Sequence, residues 1–486
     1  MNTKLIQTEI WVLLIGLAAL LLDLWMPSKR KSSLGYYVAA ALGLVLLHNL
    51  SIDFAGMRYL LFQDENLSRL MALDETAVFL KRLFLISAII VMLVSVPYSR
   101  RFETGVGEYF VLLSFALLGM LFAAGARHFT MMFVAIELIT VSFYILVSFN
   151  RNKLASVEAG IKYLILGALS SSVLIFGMAF VYAATGSMDL ATIKSLGSDI
   201  GNDPVFVIGI VLIFSGLCFK VALVPFQFWA PDVYQGAPTP TTAFLAIGSK
   251  MAGVALMLRL VYDALPYTGL PIREFLFGIS ILTIIYGNLC AIPQKNIKRL
   301  LGYSSIANAG YLLMGIAALN PSGVEGVLMY LAAYTFALLG AFSAISFIFK
   351  PDQAEDISAI AGLYRRSPIA SFVLTVSMVS LAGIPPLAGF LGKFLIFKAV
   401  IESAAFTPMA WFALAVAILG VVISLFYYFG VIRNIYWPDY TSDQSPASFS
   451  VVQIVVMLVG VVGVLYLGLL PGGALEAVRQ AALSFW

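Results

Sequence analysis

The sequence predicts an all-α polytopic membrane protein of about fourteen transmembrane helices, arranged as two inverted five-helix repeats with breaks in the seventh and twelfth helices. Three observations predict it. Of the 486 residues, 61% are hydrophobic and only 11% charged, and the mean hydropathy is +0.98, more apolar surface than a water-soluble core can hide. Apolar stretches of about 20 residues, the length that crosses a hydrocarbon layer roughly 30 Å thick, recur from one end of the chain to the other. Inside several of them stands an ionisable residue, at a cost of roughly 2.5–3.5 kcal/mol near the bilayer centre, which implies partners, water and a task.

The first stretch, 5–25, ends in Trp25-Met26-Pro27 and runs straight into Lys29, Arg30 and Lys31 with no small-residue cleavage site, so it is expected to be a retained helix. Spans follow at 36–52, 78–97, 109–126 and 128–148, the last carrying Glu137. The span at 160–184 opens on Glu158 and Lys162, four residues apart and suited to a simple pair. Lys220 lies in 204–225, which runs into Pro225, Gln227, Pro231, Pro238 and Pro240; Lys250 lies in 240–262. Beyond 273–292, the span 299–318 carries Tyr303, Ser304, Ser305, Asn308 and Tyr311. The remaining spans are 325–349, 369–400, 408–433 and 450–470; 369–400 holds Gly383-Ile384-Pro385-Pro386 and, after it, Lys393. Period-two alternation is missing throughout, and lipid demands that backbone groups be satisfied within the segment, so the spans are helices. Each proline at membrane depth frees a carbonyl that must find water or protein.

Loop cations set the orientation. After odd-numbered spans stand Lys29, Arg30, Lys31, Arg100, Arg101, Arg151, Lys153, Lys295, Lys298, Arg299, Lys350, Arg365, Arg366 and Arg433; the other side has Lys4, Arg58, Arg69, Arg127, Lys194, Arg273 and Arg479. Fourteen against seven places both termini on the outer side of a bacterial inner membrane. Lys220 and Lys393 are 173 residues apart, and Glu137 and Asn308 are 171 apart, a spacing that hints at duplication. Two copies of five helices are necessarily inverted. The expected units are residues 1–108, the repeats 109–264 and 265–435, and a final helix within 436–486.

The four mid-span charges Glu137, Lys220, Lys250 and Lys393 carry the chemistry. Burial disfavours the charged amine and a nearby carboxylate favours it, so a buried lysine is a proton carrier that a moving counter-charge can switch. Glu137 is the counter-charge expected for Lys220, Lys250 the onward carrier, and Tyr303, Ser304 and Asn308 groups that hold water between the halves. Lys162 and Gln227 are secondary candidates. Lys81 and Arg82, Arg259 and Asp263, and Lys398 and Glu402 are expected to be snorkelling or i,i+4 charges near span ends. Cys218 and Cys290 have no metal-ligand spacing and read as fillers; His48 and His128 lie at span ends, where packing outweighs haem ligation. The sequence has no phosphate-binding lysine loop, dinucleotide fingerprint or zinc signature, so redox and nucleotide chemistry belongs to other chains, and the modest charge of +4 argues for no nucleic acid.

Phe219-Lys220, Leu223-Val224-Pro225-Phe226, Trp229-Ala230-Pro231-Asp232-Val233-Tyr234-Gln235-Gly236-Ala237-Pro238 and Asn296-Ile297-Lys298-Arg299-Leu300-Leu301-Gly302-Tyr303-Ser304-Ser305-Ile306 resemble the antiporter-like membrane subunits of respiratory complex I, NADH:quinone oxidoreductase. The resemblance implies that Glu137 and Lys220 interact in a first half-channel, that Lys250 connects, and that Lys393 exchanges protons in the second. It also implies no cofactor in this chain, with flavin, iron–sulfur clusters and quinone held by other subunits, and a place in the membrane arm beside subunit M. Relatives can carry histidine where this chain has Gln227 and Asn308, so water must carry what an imidazole would relay. Subunits of multi-subunit cation/proton antiporters and membrane-bound hydrogenases share much of the motif set and are the alternative; a solute transporter and a passive scaffold are further rivals.

Overall fold

The computed structural model describes residues 6–51, 69–265, 269–350, 353–437 and 449–486. Lys4 and Arg58, two of the cations used for orientation, lie outside the described residues. Among the described residues, thirteen helices are long and apolar enough to cross a membrane. We label the helices α1 (Gln7–Trp25), α2 (Leu34–Leu50), α3 (Glu75–Ser99), α4 (Val106–Gly125), α5 (Phe129–Val147), α6 (Leu154–Thr185), α7 (Pro204–Val221), the short α8 (Trp229–Gly236) and α9 (Thr239–Ala264). They continue as α10 (Ile272–Ala291), α11 (Ile297–Ala317), α12 (Pro321–Ile348), α13 (Pro368–Ala382), α14 (Ala388–Ser403), α15 (Met409–Tyr436), α16 (Val451–Leu469) and α17 (Gly472–Leu483). The stretch expected as one span, 369–400, is divided into α13 and α14, because Pro385 and Pro386 cannot continue the helical ladder. Counted as one broken crossing, the pair completes the expected fourteen.

Local chemistry fixes the helix starts. Asp74 accepts a hydrogen bond from Ala77 N–H at 2.8 Å, Asp203 precedes Pro204 and accepts from Val205 N–H, and Asn320 precedes Pro321 and accepts from Gly323 N–H at 2.7 Å. Ser450 and Gln453 form a reciprocal capping box at α16. Side-chain packing then draws the helices close. A Cβ on Gly177 of α6 would stand 2.7 Å from Gly209 C=O and Ile213 N–H of α7, so only glycine lets those backbones approach.

Burial is arranged from the centre outward. The hydrophobic window of α9 is completely buried and that of α11 nearly so, whereas two thirds of those in α1, α15 and α16 face outward. α11 is also the least apolar of the long helices, so the polar residues are on the inside. In α9 two wide turns with i→i+5 bonding, Leu245–Ser249 and Leu260–Ala264, interrupt the α geometry. Lys250 immediately follows the first and Arg259 immediately precedes the second, so each re-aims a buried cation.

Loop cations are paired at both ends of the bundle. At one end Arg101 donates to Phe349 C=O at 2.9 Å, Lys298 pairs with Glu355 at 2.8 Å, and Lys162 and Arg299 share Asp232. At the other, Arg127 lies beside Asp74 and Asp263, and Lys194 donates to Tyr262 C=O at 3.1 Å. Two groups of charges depart from the snorkelling expected of them. Lys81 is buried and pairs with Glu9 at 2.6 Å, because α1 packs a carboxylate against α3 at that depth. Arg259 makes the expected i,i+4 contact with Asp263 at 3.3 Å, but its guanidinium is buried and grips Asp74 with two bonds of 2.6 and 2.7 Å. Lys398 and Glu402 are exposed and 3.7 Å apart, as expected.

Candidate functional site

Both broken crossings end in the same local structure. α7 closes on Ala222 in the left-handed region, φ 62°, with Leu223 N–H bonded to Cys218 C=O at 2.9 Å and Ala222 N–H to Phe219 C=O at 3.1 Å. α13 closes on Gly383, φ 84°, with Ile384 N–H bonded to Val379 C=O at 3.3 Å and Gly383 N–H to Ser380 C=O at 3.0 Å. These are matching 6→1 and 5→2 helix stops. Pro225 and Pro386, each after a cis peptide bond, stand three residues further on. Gly383 is therefore the counterpart of Ala222, and the structural offset at the breaks is 161 residues rather than the 173 that separates the two lysines. Lys220 corresponds in position to Leu381.

The lysines nevertheless converge on equivalent places. Lys220 is buried and its ammonium donates to Ser171 Oγ of α6 at 3.1 Å. Lys393, from the helix after the break, is buried too and reaches back to donate to the carbonyls of Leu381 at 2.8 Å and Ala382 at 3.4 Å. In an unbroken helix those carbonyls would accept from residues 385 and 386, which are Pro385 and Pro386 and have no N–H. The lysine takes the place of the two missing donors.

Between the breaks lies a buried polar chain. Lys250 donates to Ser305 C=O at 2.5 Å and to Ser305 Oγ, and that hydroxyl also meets Tyr334 at 2.9 Å and Tyr234 at 3.1 Å. One residue back on α11, Ser304 is bonded to the Tyr428 hydroxyl, and Asn308 Nδ2 lies 3.4 Å from Ser304 Oγ. The Tyr330 hydroxyl donates to Asn308 Oδ1 at 2.8 Å. The backbone of Tyr330 packs on Gly392, next to Lys393, and Lys393 Nζ is 5.0 Å from the centre of the Tyr311 ring. On the other flank, Gly253 of α9 packs against Lys220 and Val221.

Ser304 and Asn308 both lie in this chain. Glu137, on α5, is within electrostatic reach of Lys220, yet its Oε1 is buried with no hydrogen-bond partner, since Lys220 is bonded to Ser171. Gln227 is buried in the first break with Oε1 unpartnered. Tyr303 points to the rim, where its ring lies 5.8 Å from the Arg299 guanidinium. Lys162 is outside the chain: half exposed, it pairs with Glu158 and Asp232 at 2.8 Å each in a surface cavity also lined by Arg299. The sequence reading missed Ser171, Tyr234, Tyr330, Tyr334 and Tyr428. Tyr234 stood in a quoted motif, and the others carry no local signal. His128 caps α5 through Nδ1, 3.3 Å from Thr130 N–H; outside the span, burial pulls its pKa below the ordinary imidazole value, with Asp189 opposing. Among the described residues no three His, Cys, Asp or Glu gather to hold a metal.

An antiporter-like membrane subunit, with lysines at paired helix breaks, is the class this geometry defines. Residues 126–424 match the NADH:quinone oxidoreductase/Mrp antiporter transmembrane family, and the chain belongs to it. It is 38% identical to NADH-quinone oxidoreductase subunit N of Desulforamulus reducens, across 100% of this chain and 99% of that one. It is 37% identical to the subunit N of Heliobacterium modesticaldum, across the whole of both. A chain of respiratory complex I from Thermus thermophilus superposes with a TM-score of 0.78 at 31% identity, covering 97% of this chain and 99% of that one. A chain of the Mrp complex of a Dietzia species shares the fold at a TM-score of 0.79 and 19% identity, with 100% and 98% covered.

Proposed function

We propose that this chain is the proton-translocating, N-type membrane-arm subunit of an NADH:quinone oxidoreductase, coupling quinone reduction elsewhere in the complex to proton movement through buried lysines. The observation that carries the reading is the polar chain from Lys250 through Ser305, Ser304 and Asn308 to Tyr330, flanked by Lys220 at one helix break and Lys393 at the other. Three of its links are not direct bonds, from Lys220 to Lys250, from Ser305 to Ser304 and from Tyr330 to Lys393, and bridging water, which serves nearly as well as a direct bond, would complete them. Glu137, whose Oε1 has no hydrogen-bond partner and which acts electrostatically on Lys220, is the counter-charge that sets whether Lys220 holds its proton; Gln227 and Asn308 orient water without titrating. Lys162 and Tyr303 serve the rim.

Residues 109–264 and 265–435 act as the two inverted half-channels, preceded by 1–108 and followed by 436–486. The subunit belongs in a bacterial inner membrane with both termini outward and subunit M as neighbour. Catalysis is that of the whole complex, whose flavin, iron–sulfur clusters and quinone lie in other subunits. Moving each proton outward opposes about 2.3 kcal/mol per 100 mV. The test is Lys220→Ala in the assembled complex reconstituted in vesicles: quinone-dependent acidification should collapse with assembly intact. Undiminished pumping would reject the proposal.

A further inference from the structure

A cleft of about 940 Å3 opens at the same end of the bundle as Lys298, Arg299 and Asp232, between the end of α10, the start of α11, the segment Ile357–Ile360 and the last turns of α15. Its lining is largely apolar and includes Phe426 and, at the end of α15, Trp437, both exposed. Gly430 faces the open space: a Cβ there would meet nothing within 4 Å. Lys295 and Arg433 line its polar end, both exposed, and neither has an ion-pair partner within 4.0 Å among the described residues. Asp356 contributes one carboxylate against these two cations.

We propose that this cleft is a binding site for a phospholipid with an anionic headgroup. Three features define that occupant. An apolar cleft in the flank of a membrane bundle is filled by hydrocarbon, since no other solvent is present at that depth. At its polar end the surplus cations complement a phosphodiester, and basic pockets between transmembrane helices take anionic headgroups. Trp437, amphipathic and at a helix end, marks the headgroup level, so head and tails fall in register with the cations and Phe426. An apolar peptide helix would fill the apolar part and leave Asp356 as one carboxylate against two cations. The inference needs only that the chain spans a membrane and is independent of the proton reading.

The test is native mass spectrometry of the delipidated intact complex titrated with phosphatidylglycerol, phosphatidylcholine or inorganic phosphate. Each surface cation contributes about fivefold in affinity, so Lys295→Gln with Arg433→Gln should weaken the tightest phosphatidylglycerol binding on the order of twentyfold. Gly430→Phe, which fills the cleft and leaves the cations in place, should abolish the same adduct. Phosphatidylcholine should bind at least tenfold more weakly, and inorganic phosphate should not compete. Equal phosphatidylglycerol retention in the wild type and both variants overturns the site, as does saturation by inorganic phosphate alone. A map of the intact assembly with a neighbouring polypeptide in the cleft also overturns it. Both variants lie at a surface, and unchanged complex mass establishes that they fold.

Discussion

Replacing Lys250 by methionine separates proton carriage from structure more cleanly than any other single change in this chain. The lysine is buried on α9 and donates to the carbonyl and hydroxyl of Ser305. Methionine has nearly the same length and fills the same volume, and Ser305 Oγ keeps Tyr334 at 2.9 Å and Tyr234 at 3.1 Å, so no buried polar atom is stranded. Folding should change by less than about 1.5 kcal/mol. An excess proton, however, must then pass the bundle centre with no ammonium to hold it, at a cost of about 3 kcal/mol on insertion scales. That slows translocation about a hundredfold. The assay is NADH-driven acidification of inverted membrane vesicles by dye quenching, normalised to assembled complex on a native gel. Ser305→Ala is the converse control: it keeps the lysine but strands the Tyr234 and Tyr334 hydroxyls, at about 1–3 kcal/mol each, so it should lower thermal stability. An assembled Lys250→Met complex that pumps at the wild-type rate would refute the reasoning.

Four further predictions concern the frame. Arg259→Met leaves the buried Asp74 with only the Ala77 N–H and the more distant Arg127 and should destabilise the solubilised protein by about 3–5 kcal/mol in thermal unfolding, while Asp74→Asn together with Arg259→Met restores most of the loss. Burial alone would raise the Asp74 carboxyl, at the head of α3, but Arg259 and then Arg127 hold it below the usual carboxylate range. A depressed folded-state pKa gives stability that is present above the ordinary value near pH 3.9 and lost as pH falls through the folded one, so the unfolding temperature should drop on acidification below about pH 4, and the double variant should flatten that limb. Asp232→Asn weakens the rim pairs with Lys162 and Arg299, which are partly exposed, and should shift stability by no more than about 1 kcal/mol, least at high salt. Gly177→Val drives a side chain into α7 and should reduce assembled protein in the membrane; full assembly of that variant would show that α6 and α7 tolerate separation.

What the sequence made legible follows from what is local. Long apolar runs are local, so every crossing was found; Pro385 and Pro386 marked the second break, although the 369–400 span was expected to continue through it. The stop at Ala222 was not legible, because a left-handed alanine costs about 1–2 kcal/mol and nothing in the residue announces it. The two wide turns of α9 are equally silent. Snorkelling was the natural reading of Lys81 and Arg259 because each is near a span end, yet their partners Glu9 and Asp74 are far away in sequence and only packing brings them in. The same holds for Tyr330, Tyr334 and Tyr428: in a chain with 22 tyrosines, nothing but the fold selects those that point at Ser304, Ser305 and Asn308.

The two breaks also explain why one lysine precedes its prolines and the other follows them. In the first, Pro225 would face the carbonyl of Val221, so one accepting group is freed, and Lys220 is left to bond sideways to Ser171 on α6. In the second, two consecutive prolines free the carbonyls of Leu381 and Ala382 together, and a donor arriving from the far side of the break satisfies both. Lys393 therefore holds the halves of its own crossing together when it is an ammonium, whereas Lys220 ties one helix to its neighbour. The same stop, repeated 161 residues apart, supports two different devices because the lysine enters it from opposite ends.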